Sequence, residues 1–133
     1  MYLETCNNVK MIGNQSNANQ QNGIYIESSF GSILTNNVCN GNDSGLLFYD
    51  STECTITGNY LNGNHDAFWT DGSIGCSNSF ISGNHLNNNT GYGFNLVAGC
   101  VNNVIMGNFA YSGNGTNFSG STTNNQVAHN YGF

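Results

Sequence analysis

Short segments in which apolar and polar residues alternate recur along the chain, and most of them end at an asparagine. The clearest segment runs from Thr55 through Ile56 to Asn59, and equivalent segments end at Asn14, Asn37, Asn84, Asn108 and Asn130. The intervals between successive asparagines are 23, 22, 25, 24 and 22 residues. Alternation with a period of two predicts β-strands, and intervals this regular predict a repeat architecture.

Alignment on these asparagines gives three apolar columns, which predict the inside of the molecule. The first stands three residues before each asparagine: Met11, Leu34, Ile56, Ile81, Ile105 and Val127. The second stands two residues after it: Ser16, Cys39, Leu61, Leu86 and Ala110. The third opens each repeat: Ile24, Leu46, Phe68, Phe94 and Phe118. Strands stacked about 4.8 Å apart turn each column into a ladder of like side chains, and each buried member stabilises the fold by roughly 1.5–3 kcal/mol.

The asparagine column has a physical reason of its own. Stacked amides both donate and accept hydrogen bonds, and asparagine tolerates the left-handed backbone that a sharp corner needs. The pattern resembles the right-handed parallel β-helix of the pectin-lyase-like superfamily, in the short Asn/Gly-rich repeat type of periplasmic and archaeal surface proteins and alginate epimerases. The resemblance covers the whole chain.

This resemblance implies an all-β fold, a single-stranded right-handed parallel β-helix of about five to six coils with 22–25 residues each. Residues 1–133 form one such domain, and we expect it to be a piece of a longer protein. We expect open ends without capping helices, and a last coil that is the poorest in apolar residues.

The charge of the chain and the length of its apolar runs exclude two classes of partner. Only 6% of the residues are charged, Lys10 is the one basic residue, and the net charge is −6. A nucleic-acid-binding protein needs a basic stripe, so nucleic acid is excluded as a partner. No apolar run approaches the roughly 18 residues of a membrane span, so we expect no membrane insertion.

An acidic row with aromatic neighbours is the candidate site. Its carboxylates end the opening strands of three successive coils, within one residue of the same register: Glu27, Asp50 and Asp71. The side chains expected to point outward beside them are Tyr25, Leu47, Tyr49 and Trp69. Sugar rings stack on aromatic faces and their hydroxyl groups bond to carboxylates, so the row indicates contact with a polysaccharide. Ordinary solvated turn residues are the alternative interpretation.

Within this row we assign roles by chemistry. Asp50 and Asp71 are the candidate catalytic residues, because glycosidases use carboxyl pairs about 5–9.5 Å apart. The candidate substrate-binding residues are Tyr25, Glu27, Tyr49, Trp69 and His65. Two insertions, Gly72–Gly75 and Asn88–Tyr92, fall near this row and favour it as the working face.

A second outward row follows the asparagine column directly and consists of Tyr60, His85, Phe109 and Tyr131. It predicts a platform for a glycan or an interface between copies of the chain, because contiguous exposed aromatics mark interaction surfaces. A homo-oligomer is therefore expected through this row or through the open ends.

The five cysteines predict little metal chemistry. A column of small residues contains Cys6, Cys76 and Cys100, which favours buried free thiols, with a bridge between Cys76 and Cys100 as the alternative. Cys39 and Cys54 stand in other columns, so clustered zinc ligands are missing. We expect no cofactor, and at most weak calcium binding by the acidic row.

The catalytic sets of related enzyme families cannot be transferred to this chain. Arginine and proline are both missing, and Thr70-Asp71-Gly72 matches only a fragment of the polygalacturonase motifs. The sequence therefore favours an extracellular or cell-surface module, secreted or virion-associated, that binds polysaccharide rather than cleaving it. One alternative is a structural shaft, as in an adhesin, phage spike or filament. Another is the remnant of a polysaccharide lyase, hydrolase or epimerase.

Overall fold

Parallel strands alone build the regular part of the molecule. The computed structural model describes residues 1–120, 122 and 124–133, and this part of the chain contains twelve strands and no helix. Six of them form sheet A: β1 (Tyr2–Glu4), β3 (Asn22–Glu27), β5 (Ser44–Thr52), β7 (Asp66–Ser77), β9 (Tyr92–Leu96) and β11 (Thr116–Gly120). The other six form sheet B: β2 (Lys10–Ile12), β4 (Ile33–Thr35), β6 (Thr55–Thr57), β8 (Phe80–Ser82), β10 (Val104–Met106) and β12 (Gln126–Ala128). Among the described residues, no helix is long and apolar enough to cross a membrane.

The two sheets are faces of one solenoid. Every strand pairs in parallel with the equivalent strand one coil away, as Leu34 does with Ile56 in sheet B. A third face consists of single-residue bridges that run from Gln15 and Val38 to Tyr131. The prediction of an all-β parallel β-helix is therefore confirmed.

The core consists of the residues that the three apolar columns predict. From Leu34 to Ile105 the first column is fully buried, and Leu61, Leu86 and Ala110 of the second are likewise without exposed surface. In the third column the ring centroids of Phe68 and Phe94 lie 5.2 Å apart, and Phe48 of the neighbouring inward row stacks on Phe68 at 5.3 Å. Burial of these ladders holds the coils together.

The described part of the last coil is only partly buried. Phe118 and Val127 are only partly buried, whereas their counterparts in the preceding coils are covered. The ring of Phe133 lies 5.5 Å from both Phe94 and Phe118, so the chain itself covers part of the core at this end.

The asparagine column forms a continuous buried hydrogen-bonded ladder. At Asn59, the side-chain oxygen accepts from the backbone N–H and the amide of Asn37, at 2.9 and 3.0 Å. Its own amide donates to the Leu34 carbonyl at 3.0 Å and to Asn84 Oδ1 at 2.9 Å. Each amide therefore joins three coils.

The left-handed residue at this corner is not the ladder asparagine. Positive φ occurs one position earlier, mostly at glycine, for example 63° at Gly58 and 64° at Gly83, with Asn36 and His129 at the same place. The expectation that the ladder asparagines themselves adopt this conformation is wrong. Their side chains are selected by the hydrogen bonds between coils.

A second asparagine ladder, not anticipated from the sequence, closes the opposite corner. Its members are Asn19, Asn42, Asn64, Asn89 and Asn114. The Asn42 oxygen accepts from the backbone N–H of Asn19 at 2.9 Å, and Asn42 N–H donates to Asn64 Oδ1 at 2.8 Å. The first ladder thereby fixes the register at the end of the sheet B strands, and the second fixes it just before the sheet A strands.

Candidate functional site

Two outward rows on sheet A form the candidate site. The first row pairs residues in register across the sheet: Tyr2, Tyr25, Leu47, Trp69, Asn95 and Ser119. The second row lies two residues further along each strand: Glu4, Glu27, Tyr49 and Asp71. Inward residues such as Ile26 and Phe48 separate the rows, because side chains alternate along a strand. Aromatic and acidic side chains therefore share one surface.

The sequence prediction placed Leu47 among the outward residues beside the carboxylates. Leu47 does occupy the outward row, but only 9% of it is exposed. Tyr25 and Trp69, its larger neighbours in the row, flank Leu47 and cover most of its side chain. The available aromatic surface therefore comes from the tyrosines and Trp69.

A tyrosine cluster surrounds Glu27 at the β1 side of the site. The Tyr2 hydroxyl donates to Glu27 Oε2 at 2.5 Å, and the Tyr2 and Tyr25 ring centroids lie 4.9 Å apart. Burial raises the pKa of Tyr25 to about 12, and a hydrogen bond to Glu27 adds to this rise. The hydrogen bond to Glu27 likewise raises the pKa of Tyr2. The cluster holds the Glu27 carboxylate toward β1.

Tyr2 was missed at the sequence level, although it stands 23 residues before Tyr25 and has the same neighbours in the repeat. A cavity of about 400 Å³ lies beside this pair and is lined by Met1, Gln21 and Asn22 as well. The cavity lies at the β1 end of the two outward rows.

Asp50 anchors the predicted insertion in β7. Sheet A changes register here, since Tyr49 pairs with Asp71 but Ser51 pairs with Cys76. The extra residues arch over Asp50, whose Oδ1 accepts from the Ile74 backbone N–H at 2.8 Å. Gly72, at a φ of 86°, lies against the same carboxylate, so a side chain there would collide with it.

Asp71 is exposed at the start of this insertion. Its Oδ1 accepts from the backbone N–H of Gly72 at 2.8 Å. Tyr49 stands between Asp71 and Glu27 in the row, which separates the strands of these carboxylates by roughly 10 Å. Trp69 precedes Asp71 by two residues on the same outward face and is partly exposed.

The structure separates His65 from this group. His65 precedes β7, six residues before Asp71, so roughly 20 Å of extended strand lies between them. Its Nδ1 lies 3.4 Å from Oδ1 of the buried Asp66, and the same oxygen accepts from the Tyr92 backbone N–H at 2.8 Å. Asp66 thus anchors the second insertion, Asn88–Tyr92, and His65 stands at that corner.

The second predicted row is assembled as a column of stacked rings. Tyr60, His85, Phe109 and Tyr131 bridge from coil to coil, and successive centroids lie 4.6, 5.0 and 5.3 Å apart. The interplanar angles are 5°, 21° and 3°, so the rings are nearly parallel. We call these four residues the aromatic column.

All five cysteines are free thiols, four of them buried. Burial raises the pKa of the Cys39 thiol to about 12 and that of Cys54 to about 11. Burial also raises the pKa of Cys76 well above its usual value. Cys100 Sγ accepts from the Cys76 backbone N–H at 3.3 Å and donates to Thr70 Oγ1 at 3.1 Å. These thiols serve as small core residues.

The fold and the outward rows define a periplasmic or surface β-helix module. Residues 1–131 match the family model described as "Periplasmic copper-binding protein (NosD)", and the chain therefore belongs to the NosD family. No curated protein and no solved structure matches the chain. The periplasmic description agrees, at the level of compartment, with the expectation of a protein that acts outside the cytoplasm. A secreted or virion-associated location stays a prediction.

The copper in the family's description does not fit the donor groups of this chain. Copper favours imidazole and sulfur ligands, yet the described residues contain no group of three or more His, Cys, Asp and Glu placed to hold a metal. His85 is stacked between Tyr60 and Phe109, and the raised pKa of the buried thiols disfavours thiolate ligands. The residues that the structure describes therefore do not assemble a copper site.

Proposed function

We propose that this chain is a polysaccharide-binding module that holds a neutral glycan on the outer face of sheet A. The observation that carries the proposal is the juxtaposition of Trp69, Tyr49 and Asp71 on adjacent strands of that face. Aromatic rings supply apolar faces for sugar rings, and a carboxylate and phenol hydroxyl supply acceptors and donors for sugar hydroxyls.

Trp69 is the central aromatic contact. Its neighbours in the row are Leu47 and Asn95, and no other aromatic ring of the described chain stacks on it. Tyr25, by contrast, shares a face with Tyr2. An indole is larger than a phenol ring and here has no aromatic ring of the described residues stacked on it, so we expect Trp69 to contribute most to affinity.

The charge of the module selects the class of glycan. The net charge is −6, and Glu27 and Asp71 lie on the binding face itself. A polyuronate would be repelled, and Lys10 lies on sheet B, away from this face. A neutral polysaccharide meets no such repulsion.

The contacts of the carboxylates favour binding over cleavage. Glu27 is engaged by Tyr2 on the side away from Asp71, and Asp50 is engaged by the insertion. A glycosidase needs two carboxyl groups that face one bond across about 5–9.5 Å. Catalysis by Asp50 and Asp71 stays a prediction, with the release of reducing ends as its measurement.

Affinity electrophoresis through gels that contain a neutral glucan, a neutral xylan or polygalacturonate tests the proposal. We expect retardation by a neutral glycan, none by polygalacturonate, and a loss of about tenfold or more in affinity for Trp69→Ala. Phe80→Ala, an exposed aromatic on sheet B, is the matched control and should bind normally. Normal mobility in every neutral glycan, or binding unchanged by Trp69→Ala, would overturn it.

A further inference from the structure

The aromatic column cannot act as a glycan platform along its length. Sugars stack on ring faces, but the faces of His85 and Phe109 are covered by the rings above and below them. The column therefore presents ring edges and the hydroxyl groups of Tyr60 and Tyr131. Its two tyrosines are nonetheless 46% and 50% exposed, so a sizeable apolar surface remains uncovered.

This surface continues over the outer face of sheet B. That face carries the outward residues of six three-residue strands, and its large apolar members are Ile12, Ile33, Phe80, Val104 and Met106. Ile12 is 60% exposed and Phe80 40%. Tyr111 extends the surface on the other side, 5.9 Å from Phe109 between ring centroids and 62% exposed.

Charge is distributed unevenly between the two sides of the solenoid. All seven acidic side chains belong to strands of sheet A or to the loops beside them: Glu4, Glu27, Asp43, Asp50, Glu53, Asp66 and Asp71. Sheet B and the aromatic column carry a single charge, at Lys10. Two copies of a chain with a net charge of −6 repel each other least when these uncharged faces meet.

We propose that a second copy of this chain docks side by side through the outer face of sheet B and the aromatic column. Flat sheets pack face to face about 10 Å apart, and the same patch on both copies gives an isologous, two-fold contact. The patch spans six strands, roughly 25 Å along the axis and 15 Å across. A patch of this size buries less than the roughly 1,200 Å² at which stable specific interfaces begin, so the dimer is weak and dependent on concentration.

We assign this face to a second copy of the chain because it lacks the residues that other kinds of partner require. An anionic membrane or nucleic acid requires basic residues, and a glycan requires open ring faces. An unrelated protein is the remaining occupant, and it is an outcome of the test. The dimer leaves sheet A uncovered and is independent of the glycan site.

Sedimentation velocity from about 1 μM to about 1 mM is the test. We expect a monomer–dimer equilibrium that strengthens with added salt, because salt screens the repulsion between two acidic copies. Phe80→Asp and Tyr111→Asp should each weaken association by about tenfold or more. Asn95→Asp adds the same charge on the outer face of sheet A and should leave association unchanged.

Loss of association in these variants can be distinguished from loss of fold, and it does not depend on glycan binding because the glycan face is on sheet A. Both substituted positions are exposed, and a far-ultraviolet circular dichroism spectrum like that of the wild type establishes that each variant is folded. A strict monomer over the whole range overturns the proposal. Association that survives both substitutions also overturns it, in favour of contact through the ends of the solenoid.

Discussion

One oxygen of the Asp50 carboxylate accepts the backbone N–H of Ile74 at 2.8 Å, and this contact joins the β7 insertion to the neighbouring coil. The second insertion is fastened in the same way, because Asp66 Oδ1 accepts the Tyr92 backbone N–H at 2.8 Å. Where a coil has inserted residues, backbone N–H groups there lose their hydrogen-bond acceptors in the neighbouring coil. At both insertions a carboxylate from the preceding coil accepts one of these N–H groups instead.

The Asp50 anchor leads to the first prediction. Replacement by glycine removes the acceptor but suits the left-handed backbone at this position, where φ is 46°. We expect Asp50→Gly to lower the free energy of unfolding by about 1 kcal/mol and to speed amide exchange at Ile74 by about tenfold or more. Hydrogen exchange read by NMR measures the second effect.

Asparagine at position 50 is the matched control for this change. It keeps an oxygen acceptor and tolerates a positive φ, so Asp50→Asn should exchange at nearly the wild-type rate. Equal exchange at Ile74 in wild type and Asp50→Gly would contradict the anchoring role and leave Asp50 free for contact with ligand.

The second prediction concerns the buried asparagine ladder. Asn59→Ala removes four hydrogen bonds and leaves the backbone N–H and the side-chain amide of the buried Asn37 without the oxygen that accepts from them. We expect a loss of about 3 kcal/mol or more in the free energy of unfolding, because each buried unpaired group costs about 1–3 kcal/mol. Urea denaturation provides the measurement.

Asn14→Ala is the matched control, because Asn14 stands at the partly buried start of the same ladder. Its N–H and amide both donate to Asn37 Oδ1, and Asn37 still accepts if the amide is lost. A loss no greater than about 1 kcal/mol is expected. Equal losses in the free energy of unfolding for the two variants would show that the interior of the ladder contributes no more to stability than its start.

The core was predictable because the repeats of the chain can be aligned with one another, which shows which positions are equivalent. Leu34, Ile56 and Ile81 occupy one register position, and stacking strands in register must superpose them. The positions of Trp69 and Asp71 on one face follow from the same alternation. Any residue whose role depends on its place in the coil can be found in this way.

Features that depend on contacts between unlike positions were not predictable. The Tyr2 hydroxyl reaches Glu27 diagonally across one coil, and the Phe133 ring folds back onto Phe94 from the last residue of the chain. The second ladder repeats as regularly as the first, but Asn64 and Asn89 stand in loops with many other asparagines. Spacing alone did not separate them from their neighbours.

The third prediction is a loss of stability in alkali that begins near the pKa of unfolded thiols. Unfolded cysteines lose their protons around pH 8.5–9, whereas burial raises the folded pKa of Cys54 to about 11 and of Cys39 to about 12. Above about pH 9 the unfolded chain binds fewer protons than the folded chain, so stability falls as pH rises. Below that pH these groups contribute no pH dependence.

The urea midpoint at about pH 8, 9.5 and 11 measures this loss. Tyr25, with a pKa of about 12, adds to the fall above pH 10. Cys54→Ala removes one titrating group and should give a shallower decline between pH 9 and about 11, whatever its stability at neutral pH. A midpoint that stays constant up to pH 11 would contradict the burial of ionisable thiols.

The fourth prediction is that the acidic row binds calcium only weakly. Calcium takes six to eight oxygen ligands at about 2.3–2.6 Å, but Asp50 is engaged by Ile74 and Asp71 by Gly72. Glu27 accepts from Tyr2, and Tyr49 interrupts the row between Glu27 and Asp71. Isothermal titration calorimetry should therefore show a dissociation constant of about 1 mM or weaker, which disappears when Asp50→Asn and Asp71→Asn are combined. Micromolar affinity that survives both substitutions would place the ion elsewhere in the chain.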